Sequence, residues 1–196
     1  MKKKKPEDRR VQRTRALLQD ALMALMVERG YEATTVQDII DRANVGRATF
    51  YAHFADKKTL LASRLEDLRA TLLHRQREAL SSGDAAEFSF SLAMLEHAAG
   101  GLPLWRTLAS SESGGFVLRR IQEMLADLVR NDLAALGMTR PSSHREMLVE
   151  HVTGAFMGTM TWWLDDGVRL SPTEVDEAFR RVVRHGIISD LRSRTR

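Results

Sequence analysis

Two short amphipathic segments, Thr35 to Ala43 and Arg47 to Phe54, are separated by only Asn44-Val45-Gly46, and this spacing constrains the chain more than any other feature. Thr35 followed by Asp38 is a capping box, so the first segment reads as a helix that starts there. Asn44 and Gly46 tolerate the positive φ of a tight turn, while Val45 plugs the core. Val45 of the turn and Phe50 and Phe54 of the second segment fall at spacings that face inward with Ile39 and Ala43. The outward face then carries Arg47, Ala48, Thr49, Tyr51 and His53. Asp56 can cap a further helix beginning at Lys57.

The remaining apolar spacing predicts an all-α protein. Val11, Leu18, Leu22, Leu25 and Met26 form one helical stripe between Glu7 and Arg29, which Gly30 ends. Further on, the stretches 81–87, 100–103, 110–115 and 137–143 are rich in Gly, Ser and Pro and punctuate longer helices. A last loop, 165–174, closes with Ser171 as N-cap and Pro172 at the first helical position. No repeat recurs at a fixed period. The division expected is a basic flexible arm at 1–9, a three-helix head at 10–62 and a helical domain at 63–196. The boundary is crossed by a shared helix near residues 60–70 and not by a linker.

Charge is distributed unevenly. Residues 1–60 hold 13 Lys/Arg against 8 Asp/Glu, whereas the other 17 bases face 18 acids. Eight bases fall within the first 15 residues, so a polyanion is expected at this end, or else a merely solvated tail. The chain has no cysteine, which excludes a disulfide framework, a thiolate metal site and a cysteine nucleophile, and fits a cytoplasmic protein. The basic start resembles the n-region of a signal peptide, but no apolar stretch follows it. No apolar run approaches the roughly 18 residues of a membrane span, so no membrane partner is expected.

Two short helices joined by a three-residue turn form a helix-turn-helix, whose second helix enters the major groove of DNA. Arg47 can contact guanine bidentately, and the methyl groups of Ala48 and Thr49 suit thymine. Tyr51 and His53 reach phosphates, and Lys57 adds charge at a helix start. The segment from about Arg10 to Leu61 is similar to the DNA-binding domain of the TetR family of transcriptional regulators. The residues that carry the resemblance are Gly30-Tyr31, Thr34-Thr35, Ile39, Val45, Thr49 to Phe54, Lys57 and Leu60. It places Thr35 among the DNA-contacting residues beside Arg47, Ala48, Thr49, Tyr51, His53 and Lys57. Two positions depart from the family pattern. Gly46 stands where a serine often caps the recognition helix, and Ile40 where a small alanine is frequent.

The resemblance implies a homodimer on a pseudo-palindromic double-stranded operator, because one helix-turn-helix reads too few base pairs alone. It also implies a C-terminal ligand-binding and dimerisation domain. The last two helices carry apolar stripes broken by Gly154, Gly158 and Gly186, suited to a four-helix bundle between subunits. The middle helices are rich in Met and aromatics, which are either ordinary core or, as the family suggests, an effector pocket for a small hydrophobic ligand. The pocket candidates are Trp105, Phe116, Met124, Phe156, Met160 and Trp163. No cofactor is expected and no enzymatic activity, since neither a G-x-S-x-G nor a phosphate-binding glycine motif occurs. His144 and His151 share a helix face but lack a third ligand for a metal. The reading is therefore a ligand-released repressor, with a DNA-bound protein-interaction module lacking an effector as the alternative.

Overall fold

The computed structural model describes residues 6–82, 87–110 and 114–194, with side chains described over 9–81, 87–108 and 114–186. Lys2 to Lys5 of the expected basic arm lie outside the described residues, and residues 6–9 belong to the first helix. Among the described residues the secondary structure is α-helical, without strands: α1 (Pro6–Ala33), α2 (Val36–Ala43), α3 (Arg47–His53), α4 (Lys57–Ser82), α5 (Phe90–Gly100), α6 (Leu102–Ser110), α7 (Gly114–Ala135), α8 (Ser143–Asp165) and α9 (Pro172–Arg194). No described helix is long and apolar enough to cross a membrane.

The local signals act where the sequence places them. Gly30 breaks α1 with φ 82°, a backbone that a side-chain-bearing residue rarely adopts, and one more turn runs to Ala33. The Thr35 hydroxyl accepts from the Asp38 amide, and the Asp38 carboxylate accepts from the Thr35 amide at 2.8 Å. This closed capping box is worth about 1 kcal/mol to a helix of eight residues. Asn44 sits in the left-handed region at φ 50°, ψ 50°, and its amide reaches back to the Asp41 carbonyl. Asp56 caps α4 by accepting from the Thr59 amide at 2.6 Å. A second capping box, Ser171 with Glu174, starts α9.

Head and body share one apolar core. Leu18, Leu22, Ile39, Phe50 and Leu60 are fully buried, and the same cluster continues through Leu72, Phe90, Leu128, Phe156 and Trp163. α1 packs on α2, α4 and α6, while α8 packs on α7 and α9, and α9 also packs on α5. The buried amide of Gln19 bridges α1 to α4, donating to Ser63 at 3.0 Å and Asp67 at 2.7 Å. Thus α1 contacts both α2 and α6, and α4 contacts α1, α5 and α7.

A buried acid lies inside the body. Asp132 on α7 accepts from the Phe88 amide at 3.1 Å, yet its other carboxylate oxygen is buried without a partner. Burial pushes its pKa up to about 7, against the lowering effect of Gln76 and the Phe88 amide. A raised carboxyl pKa favours the folded state at low pH, and this contribution is lost as pH rises through about 7. This one group should remove on the order of 4 kcal/mol of stability between pH 4 and 8. Asp132→Asn is expected to flatten the pH dependence of urea midpoints over that interval. An equally steep profile in the variant would assign the dependence to another group.

Candidate nucleic-acid interface

The head presents a short helix whose inner side is fixed and whose outer side is open. Phe50 is fully buried and Phe54 nearly so, and the two rings lie 6.2 Å apart. Burying such a side chain contributes roughly 1.5–3 kcal/mol, enough to set the rotation of α3 on the head. Arg15 from α1 stacks on the outer side of Phe54 at 4.8 Å from the ring centroid, so one of the eight early bases is part of this packing. The rotation leaves Arg47, Ala48 and Tyr51 exposed and Thr49 and His53 half-buried on the open side. Gly46 supplies no side-chain cap at the helix start.

Arg47 lies 5.6 Å from the centroid of Tyr51 and only weakly reaches the Gln37 side chain at 3.5 Å. Its guanidinium is therefore supported on an aromatic face while its donors stay available. Gln37 on α2 is exposed on the same surface, with its amide held by Asp41 at 2.9 Å. Sequence reasoning passed over it, although a Gln two residues into a helix that borders a recognition helix is a usable signal. Thr35 is exposed at the start of α2, but its hydroxyl donates to Asp38 at 2.6 Å. Two bases bordering this surface, Arg42 of α2 and Arg29 of α1, are held in ion pairs. Arg42 grips Glu28 with both nitrogens at 2.8 and 2.6 Å, and Arg29 pairs with Asp38 at 3.0 Å.

Lys57 takes a different position from the one expected of a phosphate contact. Its ammonium donates to the carbonyls of Tyr31 at 2.8 Å, Glu32 at 3.2 Å and Thr34 at 2.8 Å, and lies 4.4 Å from the Tyr31 ring centroid. An ammonium has three donors, so all are occupied within the head. Lys57 satisfies the carbonyls left over where α1 breaks off, and it ties the start of α4 to that corner.

A cavity lies where the head meets the body. It measures about 690 Å³ and is walled by Met23 and Val27 of α1, Leu65 and Leu68 of α4, Leu104 and Trp105 of α6, and Ile121 of α7. Arg64, Glu28, Glu96 and His97 supply its polar groups. Of the six pocket candidates, Trp105 lines this cavity and the other five are placed elsewhere. Phe116 is exposed, with the Lys58 ammonium 5.9 Å from its ring, and Met124 borders a separate cleft between α4 and α7. Phe156 is fully buried edge-to-face between Phe90 and Phe179, and Met160 is buried in the same core cluster. Trp163 is fully buried, and its indole donates to the Leu170 carbonyl at 2.8 Å, anchoring the corner between α8 and α9. The α1 wall lay hidden in the sequence because Met23 and Val27 sit beside the main apolar stripe and not on it. The lone base Arg64 inside the run Leu61, Leu65, Leu68 was a readable sign.

Away from the head, α8 and α9 expose an apolar face. Met147 and Trp162 are each 55% exposed and Val182 is 71% exposed, with Ala155, Gly158 and Ala178 open between them. Large apolar side chains at such exposure on adjacent helices mark a surface built for contact. Among the described residues no cluster of three or more His, Asp or Glu is placed to hold a metal ion.

Comparison with known proteins agrees with this geometry. Residues 18–63 match the family described as bacterial regulatory proteins, tetR family, and residues 88–185 match a transcriptional regulator C-terminal region. The chain is 28% identical over 88% of its length to the HTH-type transcriptional regulator YxbF of Bacillus subtilis, of which it spans 45%. It is 26% identical over 83% of its length to the HTH-type transcriptional repressor KstR2 of Mycolicibacterium smegmatis, covering 85% of that protein. A crystal structure of a TetR-family transcriptional regulator from Syntrophomonas wolfei superposes with a TM-score of 0.71 at 18% identity, over 88% of this chain and 94% of that one.

Proposed function

The chain belongs to the TetR family of transcriptional regulators, and on that footing we propose that it acts as a homodimeric repressor released from DNA by a small, largely hydrophobic effector. The observation that carries the proposal is the pairing of an open recognition surface on α3 with a 690 Å³ apolar cavity that abuts the same head. Repression is supported by the similarity to KstR2, a named repressor. Binding the chromosome implies residence in the cytoplasm.

Recognition rests on α3 set into the major groove. Arg47 reads a guanine, Ala48 and Thr49 meet thymine methyl groups, and Tyr51, His53 and the amide end of α2 at Thr35 position the head on phosphates. Lys57 acts from within, holding the corner that orients α2 and α3. The exposed α8–α9 face pairs two subunits so that two recognition helices meet half-sites about 34 Å apart.

Release follows from where the cavity lies. A ligand there touches α1 through Met23 and Val27 and α4 through Leu65 and Leu68, the two helices that enter both parts. A shift of either helix alters the separation of the recognition helices. An effector that binds the spread form more tightly by about 1–3 kcal/mol weakens DNA binding roughly 5- to 150-fold, and DNA opposes the effector equally. Apolar walls on this scale favour a small molecule over the protein-recruitment alternative.

The test of recognition is Arg47→Ala on the preferred duplex. We expect a loss of about 1–3 kcal/mol, concentrated at one base pair in each half-site. Unchanged affinity and base preference in the variant would remove α3 as the reading element.

A further inference from the structure

The polar groups of the head–body cavity are unequal in a way that selects a ligand. Both of its acids are already committed. Glu28 is held bidentately by Arg42, whose guanidinium keeps that carboxyl below the usual range, and Glu96 pairs with Arg75 at 3.6 Å. Arg64 is in the opposite condition. It is half-buried on α4, and among the described residues it makes no hydrogen bond and no ion pair. A guanidinium carries a permanent charge and five donors in a fixed fork, so at this half-buried position they are open to an acceptor that enters the cavity. His97 on α5 borders the same space, and its pKa is lowered by its surroundings first and by the Arg64 charge second. The permanent cation at this wall is Arg64.

Arg64 and His97 line both the large cavity and an adjoining cleft of about 350 Å³, so they stand at the junction of an apolar chamber and a more polar annex. From this arrangement we propose that the effector is an amphipathic carboxylate, its apolar body lying against Met23, Leu65, Leu68 and Trp105 and its carboxylate on the Arg64 guanidinium. The proposal rests on the effector-controlled reading above and names the chemical class of that effector. The fork of the guanidinium matches the two oxygens of a carboxylate, and the paired bonds are among the strong ones in partly desolvated sites. His97 adds a ring N–H donor at the rim. A cationic amphiphile meets Arg64 unscreened, while Glu28 and Glu96 have their own partners. An uncharged alcohol leaves the guanidinium without acceptors.

The test uses the full chain and three probes with one tail: decanoate, decan-1-ol and decyltrimethylammonium, titrated calorimetrically below their aggregation limits. The wild-type protein is expected to bind decanoate at least about ten-fold more tightly than either other probe. Arg64→Met, which keeps the apolar stem, is expected to lower decanoate to the level of decanol while leaving decanol affinity unchanged. That unchanged affinity also shows that the cavity persists in the variant. Should Arg64→Met fail to fold, Arg64→Lys decides: a loss of roughly three-fold or more for decanoate supports the fork, and an unchanged affinity overturns it.

Equal binding of the three probes, a preference for the cation, or a preference for decanoate that survives in Arg64→Met overturns the assignment. Any of these leaves effector control itself standing. Absence of binding by all three probes also overturns the assignment. The wider reading fails separately, if no apolar small molecule of any charge changes affinity for the operator.

Discussion

Replacing Lys57 with methionine should lower the stability of the head by about 2–4 kcal/mol, because three carbonyls lose their only charged donor. Methionine preserves length and apolar stem, so the change isolates the ammonium. The carbonyls of Tyr31, Glu32 and Thr34 lie where α1 breaks at Gly30, and Thr34 is itself fully buried. Water can reach part of this corner, since Lys57 is half-buried, and this keeps the expected cost below the sum of three buried bonds. Loss of the ring contact with Tyr31 adds to it. The measurement is equilibrium denaturation of the variant and the wild type, together with the salt dependence of DNA binding. A side chain that only touched phosphate would leave the denaturation midpoint in place and reduce the log–log salt slope by about 0.9. That pattern would return Lys57 to the DNA surface.

The second large effect concerns assembly. Gly158 lies on the exposed face of α8, and a Cβ built there meets nothing within 4 Å. Arginine at this position is thus sterically free in one subunit and favours the helix by roughly 0.5–1 kcal/mol over glycine. In a dimer closed by this face, the same arginine meets its symmetry mate or the neighbouring helix at close range. Gly158→Arg is expected to sediment as a folded monomer and to lose about 10³-fold or more in operator affinity, approaching non-specific binding. A variant that stays dimeric and binds the operator as before would move the subunit interface away from α8.

These expectations show which parts of the molecule the sequence made readable. The helix-turn-helix was legible because its determinants are local. The capping box spans four residues, Thr35 to Asp38, the Asn44 turn spans three, and the inward faces of Phe50 and Phe54 follow from helical period alone. Local chemistry does not say where a long side chain points. Lys57 turns to carbonyls 23 to 26 residues earlier in the chain, a direction set only once α4 packs against the end of α1.

The cavity was hidden for the same reason. Apolar and aromatic residues of the middle and last helices look alike in sequence whether they fill a core or wall a chamber. Phe156 and Trp163 pack solidly because Phe90, Phe179 and the Leu170 carbonyl come to them from other helices. Trp105 lines the chamber because α6 meets α1 there, a long-range contact that brings Met23 and Val27 into the wall. Arg64 was visible as a base within an apolar run, yet its lack of a partner is a property of the folded arrangement.

In the proposed function, two copies of this chain place two α3 helices on one duplex. Selection of bound sequences from a pool of random duplexes tests it most directly. The expected result is an enriched pseudo-palindrome whose half-sites repeat about one helical turn apart, with a guanine preference in each half that Arg47→Ala removes. Recovery of no enriched sequence, or of a single asymmetric site read equally well by the Arg47→Ala variant, would contradict it.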